Sequence, residues 1–241
     1  MFKKKAILII HGLAGGTYDE EPLARYLQLN RKFDVFTFTL PGHDVKNRKS
    51  ATCEEWINES EKQLEYLRKH GYRKIYLVGH SMGGVIATHL AKEHKCIKKL
   101  VLVAPAFTSL ASKEEGGLFK ALFKIPDLIK AYSVNELMTR LNKLPITAEK
   151  EFFELVDKYK DDIHDIKIPT LFVHGTEDQV VPIKSSLSLY DEMKINHKEM
   201  LIINDYYHDV FKGNKVDEIN KIIENFLKKN KHMIKPNKME I

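Results

Sequence analysis

The chain has 241 residues but only two cysteines and one tryptophan. Cys53 and Cys96 form no Cys-x-x-Cys pair, which argues against a disulfide scaffold and a structural zinc site and fits a reducing compartment. Arginine is scarce too: the formal charge of +6, from 39 Lys+Arg against 33 Asp+Glu, comes mostly from lysine. Without arginine clusters or interleaved aromatics this is a poor nucleic-acid signature, and it reads as a solvated basic surface. Apolar residues nowhere run for the roughly 18 positions that a membrane span needs. The start, Met1-Phe2-Lys3-Lys4-Lys5 before Ala6–Ile10, imitates a secretory signal, but its apolar part is short and runs straight into His11-Gly12. A buried first strand and a cytoplasmic location are expected.

At 43% apolar and 30% charged, the composition excludes a disordered or collagen-like chain. A chain this long can bury about 70% of its unfolded surface. Ala6–Ile10, Val35–Leu40, Ile75–Val78, Leu100–Ala104, Leu171–Val173 and Met200–Ile203 are short apolar runs without polar alternation, as in strands covered on both faces. Helical patterns separate them. Thr52 with Glu55 forms a capping box ahead of Trp56, Leu64 and Leu67. Ile219, Ile222, Ile223, Phe226 and Leu227 fall on one helical stripe. Strand-helix alternation of this kind predicts an α/β fold, an open doubly wound sheet with helices on both faces.

One segment breaks the rhythm. From Pro105 to about Lys167 only amphipathic helical patterns occur: Leu118, Phe119, Leu122 and Phe123, then Leu137, Met138 and Leu141, then Phe152, Phe153, Leu155 and Val156. This predicts a helical cap over residues 106–166, above the carboxyl edge where such sheets bind ligands. Residues 1–105 and 167–230 then form the core, and 231–241 a frayed, polar, basic tail.

The chemistry concentrates in Gly79-His80-Ser81-Met82-Gly83, followed by Gly84, where a strand gives way to a helix. A sharp turn there crowds its neighbours, hence the flanking glycines, and lifts the Ser81 hydroxyl above the sheet at the positive end of the helix. The plain alternative is a βα turn with an incidental serine. A serine nucleophile needs a base held by an acid, and this motif sets the order nucleophile, acid, base. His174-Gly175-Thr176-Glu177-Asp178 follows the Leu171 strand, and Tyr206-Tyr207-His208-Asp209 follows the Met200 strand. Serine, an Asp or Glu, and a histidine therefore gather at one edge.

On these residues the chain resembles the α/β-hydrolases, and among them the small bacterial carboxylesterases and monoacylglycerol lipases. The matching pieces are His11-Gly12-Leu13-Ala14-Gly15-Gly16, Leu40-Pro41-Gly42-His43, Gly79 to Gly84, His174 to Pro182, and His208. The resemblance implies Ser81 as nucleophile, Asp178 as acid and His208 as base, with the backbone N–H groups of Leu13 and Met82 as oxyanion hole. It also implies the α/β-hydrolase fold. Without a counterpart expected before Ala6 for the family's two leading edge strands, about six parallel strands are expected. The tyrosines before His208 replace the small residues often seen there.

The other polar groups have blander readings. His11 and His174 are expected to be structural hydrogen-bonders, and His80 to support the site from behind the nucleophile. Glu177 is the rival acid, but Asp178 holds the matching position. Asp161, Asp162, His164 and Asp165 lack a recognisable ligand spacing and read as a solvated turn, so no metal is expected. Asn58-Glu59-Ser60 is a sequon in letters only, and Gly12 to Gly16 without Gly-Lys-Ser/Thr is no P-loop. The expected activity is hydrolysis of a small carboxylic ester through an acyl-enzyme, without metal or organic cofactor. The expected acid limb lies near pH 6–7, the ordinary imidazole range of about those values. A thioesterase, a C–C bond hydrolase or a slowly turning-over ligand sensor could carry the same residues. Chemistry that needs a carboxylate nucleophile is excluded by Ser81.

Overall fold

The computed structural model describes residues 5–29, 32–44, 50–107 and 147–241. The elements run β1 (Lys5–Ile10), α1 (Glu21–Gln28), β2 (Asp34–Thr37), α2 (Cys53–Lys69), β3 (Lys74–His80), α3 (Met82–Glu93) and β4 (Ile97–Val103). After 147 come α4 (Ala148–Tyr159), a 3-10 turn (Lys160–Asp165), β5 (Thr170–Gly175), α5 (Ile183–Glu192), β6 (Lys198–Ile203), α6 (Val216–Lys228) and β7 (Asn237–Glu240). The strands form one sheet in the order β2-β1-β3-β4-β5-β6-β7, with every neighbouring pair parallel. Each of the six expected apolar runs overlaps a strand, although β2 ends at Thr37, short of Leu40, and β4 at Val103, short of Ala104.

Two apolar layers divide the side chains by strand parity. Ala6, Leu8 and Ile10 face a core shared with α2, α3, α4 and α5, while Ile7 and Ile9 face a second core shared with α1 and α6. The capping box forms as expected: Glu55 N donates to Thr52 Oγ1 and Thr52 N donates to the Glu55 carboxylate. In α2 the sequon serine, Ser60, is buried with its hydroxyl donating to Trp56 O.

Three expectations are corrected. The sheet has seven strands rather than about six, and the extra one comes from the expected tail. Residues Asn237–Glu240 pair with Glu199–Ile202 of β6, and Ile241 N donates to Ile202 O. A short polar edge strand has no apolar run to betray it; backbone pairing alone makes it a strand. Next, α4 belongs to the core and not to the cap. Phe152, Leu155 and Val156 are buried against the α2–α3 layer, and Glu151 accepts from Cys53 N at the start of α2. Finally, Asp162 is no solvated group: it is buried, and it binds His89 at 2.7 Å and Lys92 at 2.7 Å, tying the 3-10 turn to α3. The remaining cap positions, Leu118, Phe119, Leu122, Phe123, Leu137, Met138 and Leu141, lie outside the described residues.

A buried lysine closes the second core. Lys99 on β4 donates from Nζ to Phe226 O (2.6 Å), Leu227 O (3.0 Å) and Lys229 O (2.6 Å), the orphan carbonyls at the end of α6. Lys99→Met keeps the stem but leaves those acceptors without a donor. The expected loss is about 2–4 kcal/mol, or roughly 5–15 °C in melting temperature, read by calorimetry. An unchanged melting temperature would show that water replaces the ammonium at no cost.

Candidate active site

The serine turn is strained as its sequence predicts. Ser81 has φ 53° and ψ −120°, between the end of β3 and the first residue of α3. Such backbone costs about 1–3 kcal/mol and persists only where its surroundings enforce it. Here three main-chain bonds do so: Ser81 N donates to Val103 O (2.9 Å), while Gly84 N (2.9 Å) and Ala106 N (3.2 Å) donate to Ser81 O. The other non-glycine residues with positive φ are Ala14, Ala104 and Asp205, in the loops after β1, β4 and β6. Strain among the described residues is therefore confined to the carboxyl edge.

Glycine is required where backbones touch. A Cβ on Gly83 would lie 2.2 Å from Ile10 O and 2.6 Å from His11 O, and one on Gly79 would lie 2.3 Å from Gly83 O. These contacts press α3 onto the end of β1. Gly83→Ala is therefore expected to cost at least about 2–3 kcal/mol, seen as a lower urea midpoint with an unchanged slope. A wild-type midpoint would mean that the start of α3 and the end of β1 can part freely.

The same closeness brings the His-Gly segment to the serine. A Cβ on Gly12 would meet Ser81 Cβ at 3.0 Å and Ser81 Oγ at 3.6 Å. Leu13 follows directly, and Met82 is the first residue of α3, where an amide has no intrahelical acceptor. His11 holds this segment in place. Leu40 N donates to its Nε2 (3.0 Å) and its Nδ1 donates to Gly12 O (2.8 Å). Burial above all, then the neighbouring His43, pushes the His11 pKa down to about 3, so the ring stays neutral in that tautomer. His11 is structural, as expected.

Asp178 and His208 meet across the ends of β5 and β6. His208 Nδ1 lies 2.7 Å from Asp178 Oδ2, and both side chains are buried. Asp178 Oδ1 accepts from Val180 N and Val181 N, each at 2.8 Å. Its Oδ2 also receives His174 Nε2 at 3.1 Å. Burial alone would raise the Asp178 pKa, but the His208 charge and the hydrogen bonds from His174 and His208 outweigh it and hold the carboxyl well below the usual range. Glu177, by contrast, is exposed, and its N–H donates to Tyr206 O. His174 does more than hydrogen-bond locally, because it touches the acid itself. Its Nδ1 accepts from Ser186 Oγ (2.7 Å), which directs its Nε2–H toward Val181 O and Asp178.

Tyr206, expected only as a departure from the family pattern, fastens the histidine loop. Its hydroxyl accepts from Lys215 N at 2.6 Å. His80 points away from solvent toward Glu20, a partner that sequence reading did not select. Among the described residues one trio has metal-ligand spacing: Cys53, Glu54 and Glu154. It is poorly suited to an ion, since burial first, then Glu54, pushes the Cys53 thiol up to about 12, and Lys158 already pairs with Glu54 at 3.0 Å.

A parallel sheet with a strained serine at a strand-to-helix turn, and a His–Asp contact at the same edge, is the architecture of an α/β-hydrolase. The family described as serine aminopeptidase, S33 matches residues 3–215, and the chain belongs to it. It is 24% identical to a carboxylesterase of Bacillus subtilis (strain 168) over 93% of each chain. It is 26% identical to a thermostable monoacylglycerol lipase of Bacillus sp. (strain H-257), covering 84% of this chain and 82% of that one. The crystal structure of Paleococcus ferrophilus monoacylglycerol lipase superposes with a TM-score of 0.72 at 23% identity, over 92% of this chain and 93% of that one. No helix among the described residues is long and apolar enough to cross a membrane.

Proposed function

We propose that the protein is a carboxylesterase that cleaves small esters through an acyl-enzyme, with Ser81 as nucleophile, His208 as base and Asp178 as acid. The observation that carries this reading is the 2.7 Å contact of His208 Nδ1 with Asp178 Oδ2. With Nδ1–H given to a carboxylate, Nε2 is left as the acceptor, the tautomer a general base needs. His208 takes the Ser81 proton as Ser81 Oγ attacks the ester carbonyl. The amides of Leu13 and Met82 receive the oxyanion, each worth about 10²–10³ in rate. His208 then protonates the leaving alcohol and activates water for deacylation. Only protein groups are needed for these steps.

The names of the similar esterase and lipases support an oxygen ester as substrate. Kinetics on matched oxygen and sulfur esters of one acyl group test this: kcat/KM is expected to favour the oxygen ester, and a large preference for sulfur would make the protein a thioesterase. For acyl length the support is the apolar content of the expected cap segment and its small size. Each methylene buried there is worth about 0.8 kcal/mol, so kcat/KM is expected to rise severalfold per carbon until the pocket ends. We place the optimum at about four to ten acyl carbons, with monoesters preferred over triglycerides and no sharp activation at an oil–water interface. Best turnover on long-chain triglyceride emulsions, or a flat chain-length profile, would overturn that range.

A further inference from the structure

Behind the serine lies a buried ion pair that the mechanism above does not use. His80, the last residue of β3, and Glu20, just before α1, are 4% and 1% exposed and stand 60 positions apart in the chain. His80 Nδ1 is 2.8 Å from Glu20 Oε1, and His80 Nε2 is 3.3 Å from the main-chain oxygen of His208. A carbonyl oxygen and a carboxylate can only accept. With Glu20 ionised, both ring nitrogens are satisfied at once when both carry hydrogen, as an imidazolium facing a carboxylate; burial pushes Glu20 up, and the hydrogen bond and charge of His80 oppose this. The His80 ring centroid is 5.1 Å from that of His208, so this charge stands directly behind the base.

We propose that the Glu20–His80 pair is a positioning device for His208, clamping the main chain of the base and setting a fixed cation behind its ring. This rests on the reading of Ser81 and His208 as nucleophile and base. The clamp is needed because His208 sits on an irregular loop after β6. That loop is otherwise tied through its flanks, by Glu177 N to Tyr206 O (2.9 Å), Asp205 N to Thr176 Oγ1 (2.9 Å) and Lys215 N to the Tyr206 hydroxyl. The His208 oxygen also accepts from Val210 N (3.0 Å) within the loop itself; among the described bonds, the His80 bond is the one that ties the main chain of His208 to another element. A base must be held within a fraction of an ångström of its hydroxyl, and a displacement of about 1 Å can cost roughly 10²-fold in rate.

The cation has its own effect. A hydrogen bond donated by an imidazolium is roughly twice as strong as a neutral one, so the charge tightens the hold of Nε2–H on the His208 carbonyl. Facing His80 are Glu20 and Asp19 from the loop before α1, Asp209 and His208 from the loop after β6, and His11 from the loop after β1. Burial alone would strip His80 of its proton. The hydrogen bond and charge of Glu20, with Asp209 and Asp19 adding to them, instead raise its pKa to about 9. Of the other carboxylates, Asp19 accepts from Gly16 N at 3.3 Å and Asp209 pairs with Lys212 at 3.1 Å.

Three measurements test the proposal. In Glu20→Gln the amide can donate to Nδ1, so Nε2–H still holds the His208 carbonyl while the cation is lost. Here kcat/KM is expected to fall roughly two- to fivefold, as the charge-assisted bond to the His208 carbonyl becomes a neutral one. The double variant Glu20→Leu/His80→Leu removes clamp and cation without leaving a buried charge. Its kcat is expected to fall by about 10- to 100-fold with KM changed less than about twofold. In the unaltered chain, ¹⁵N NMR at pH 7.5 is expected to show one buried histidine protonated at both nitrogens, a signature that vanishes in Glu20→Gln. A neutral His80 at that pH, or an unchanged kcat/KM in Glu20→Gln, overturns the proposal even where the double variant fails to fold. Fluorophosphonate labelling of the unaltered chain separates the two claims. Failure to label Ser81 would sink the reading of the site, whereas normal labelling with fully active variants would sink only the role of the pair.

Discussion

Ser81→Ala is expected to lower kcat by about 10⁴–10⁶-fold and to abolish labelling by a fluorophosphonate. The physical reason is that the strained turn presents the hydroxyl of Ser81 itself, and alanine offers no nucleophile at that position. The bonds that enforce that turn, Ser81 N to Val103 O and the two amides on Ser81 O, are made by main chain and survive the substitution. Circular dichroism and melting temperature should therefore be close to those of the parent. A loss of activity with intact folding assigns the effect to chemistry. Mass spectrometry of the parent should find one equivalent of label, on Ser81. A label elsewhere, or full labelling of Ser81→Ala, would refute the assignment.

The second large effect distinguishes two adjacent acids. Asp178→Asn is expected to cost about 10⁴ in kcat, and Glu177→Gln less than about twofold. In the asparagine variant the side-chain oxygen is best placed where Val180 N and Val181 N both donate, each at 2.8 Å in the parent. The amide NH₂ then faces His208 Nδ1, which must accept instead of donate. The ring proton moves to Nε2, the nitrogen that should take the serine proton, and the base is blocked without any loss of shape. Glu177 is exposed, and its side chain has no such role. The reverse ranking of these variants would show that the acid has been misassigned.

Acid sensitivity follows from the same carboxylate. Asp178 is held below its ordinary value, which is about 3.9 in an unfolded chain. The stability it contributes is therefore fully present above about pH 4 and is lost as pH falls through its lower folded value. The parent and Asp178→Asn should accordingly differ most in urea midpoint near neutrality and converge in strong acid. A gap that widens as pH falls would contradict the sign of this shift.

Much of the edge was legible in the sequence because each piece is local. Gly79 and Gly83 flank Ser81 because a strand-to-helix turn leaves no room for a Cβ, and that crowding is a property of a few consecutive residues. Asp178 and His208 were chosen by their places just after two apolar runs, and parallel neighbours bring such places together. Thr52 and Glu55 likewise settle the start of α2 between themselves. What failed to show was the part that depends on distant partners. Leu155 and Val156 announce a helix, but which layer α4 packs on is decided by α2 and α3, reached across the chain through Glu151 and Cys53.

The sequence by itself therefore determined the strands of the sheet's interior, the serine turn and the order of the candidate residues, since apolar runs, tight glycines and caps act through nearest neighbours. Only the tertiary structure decided that polar Asn237–Glu240 is a seventh strand, because an edge strand owes its form to the backbone of β6 rather than to its own side chains. It alone decided that Asp162 anchors α3 through His89 and Lys92, and that His80 finds Glu20. Charged groups in a low-dielectric interior are placed by whichever counter-charge folding brings within reach, and no spacing along the chain encodes that partner.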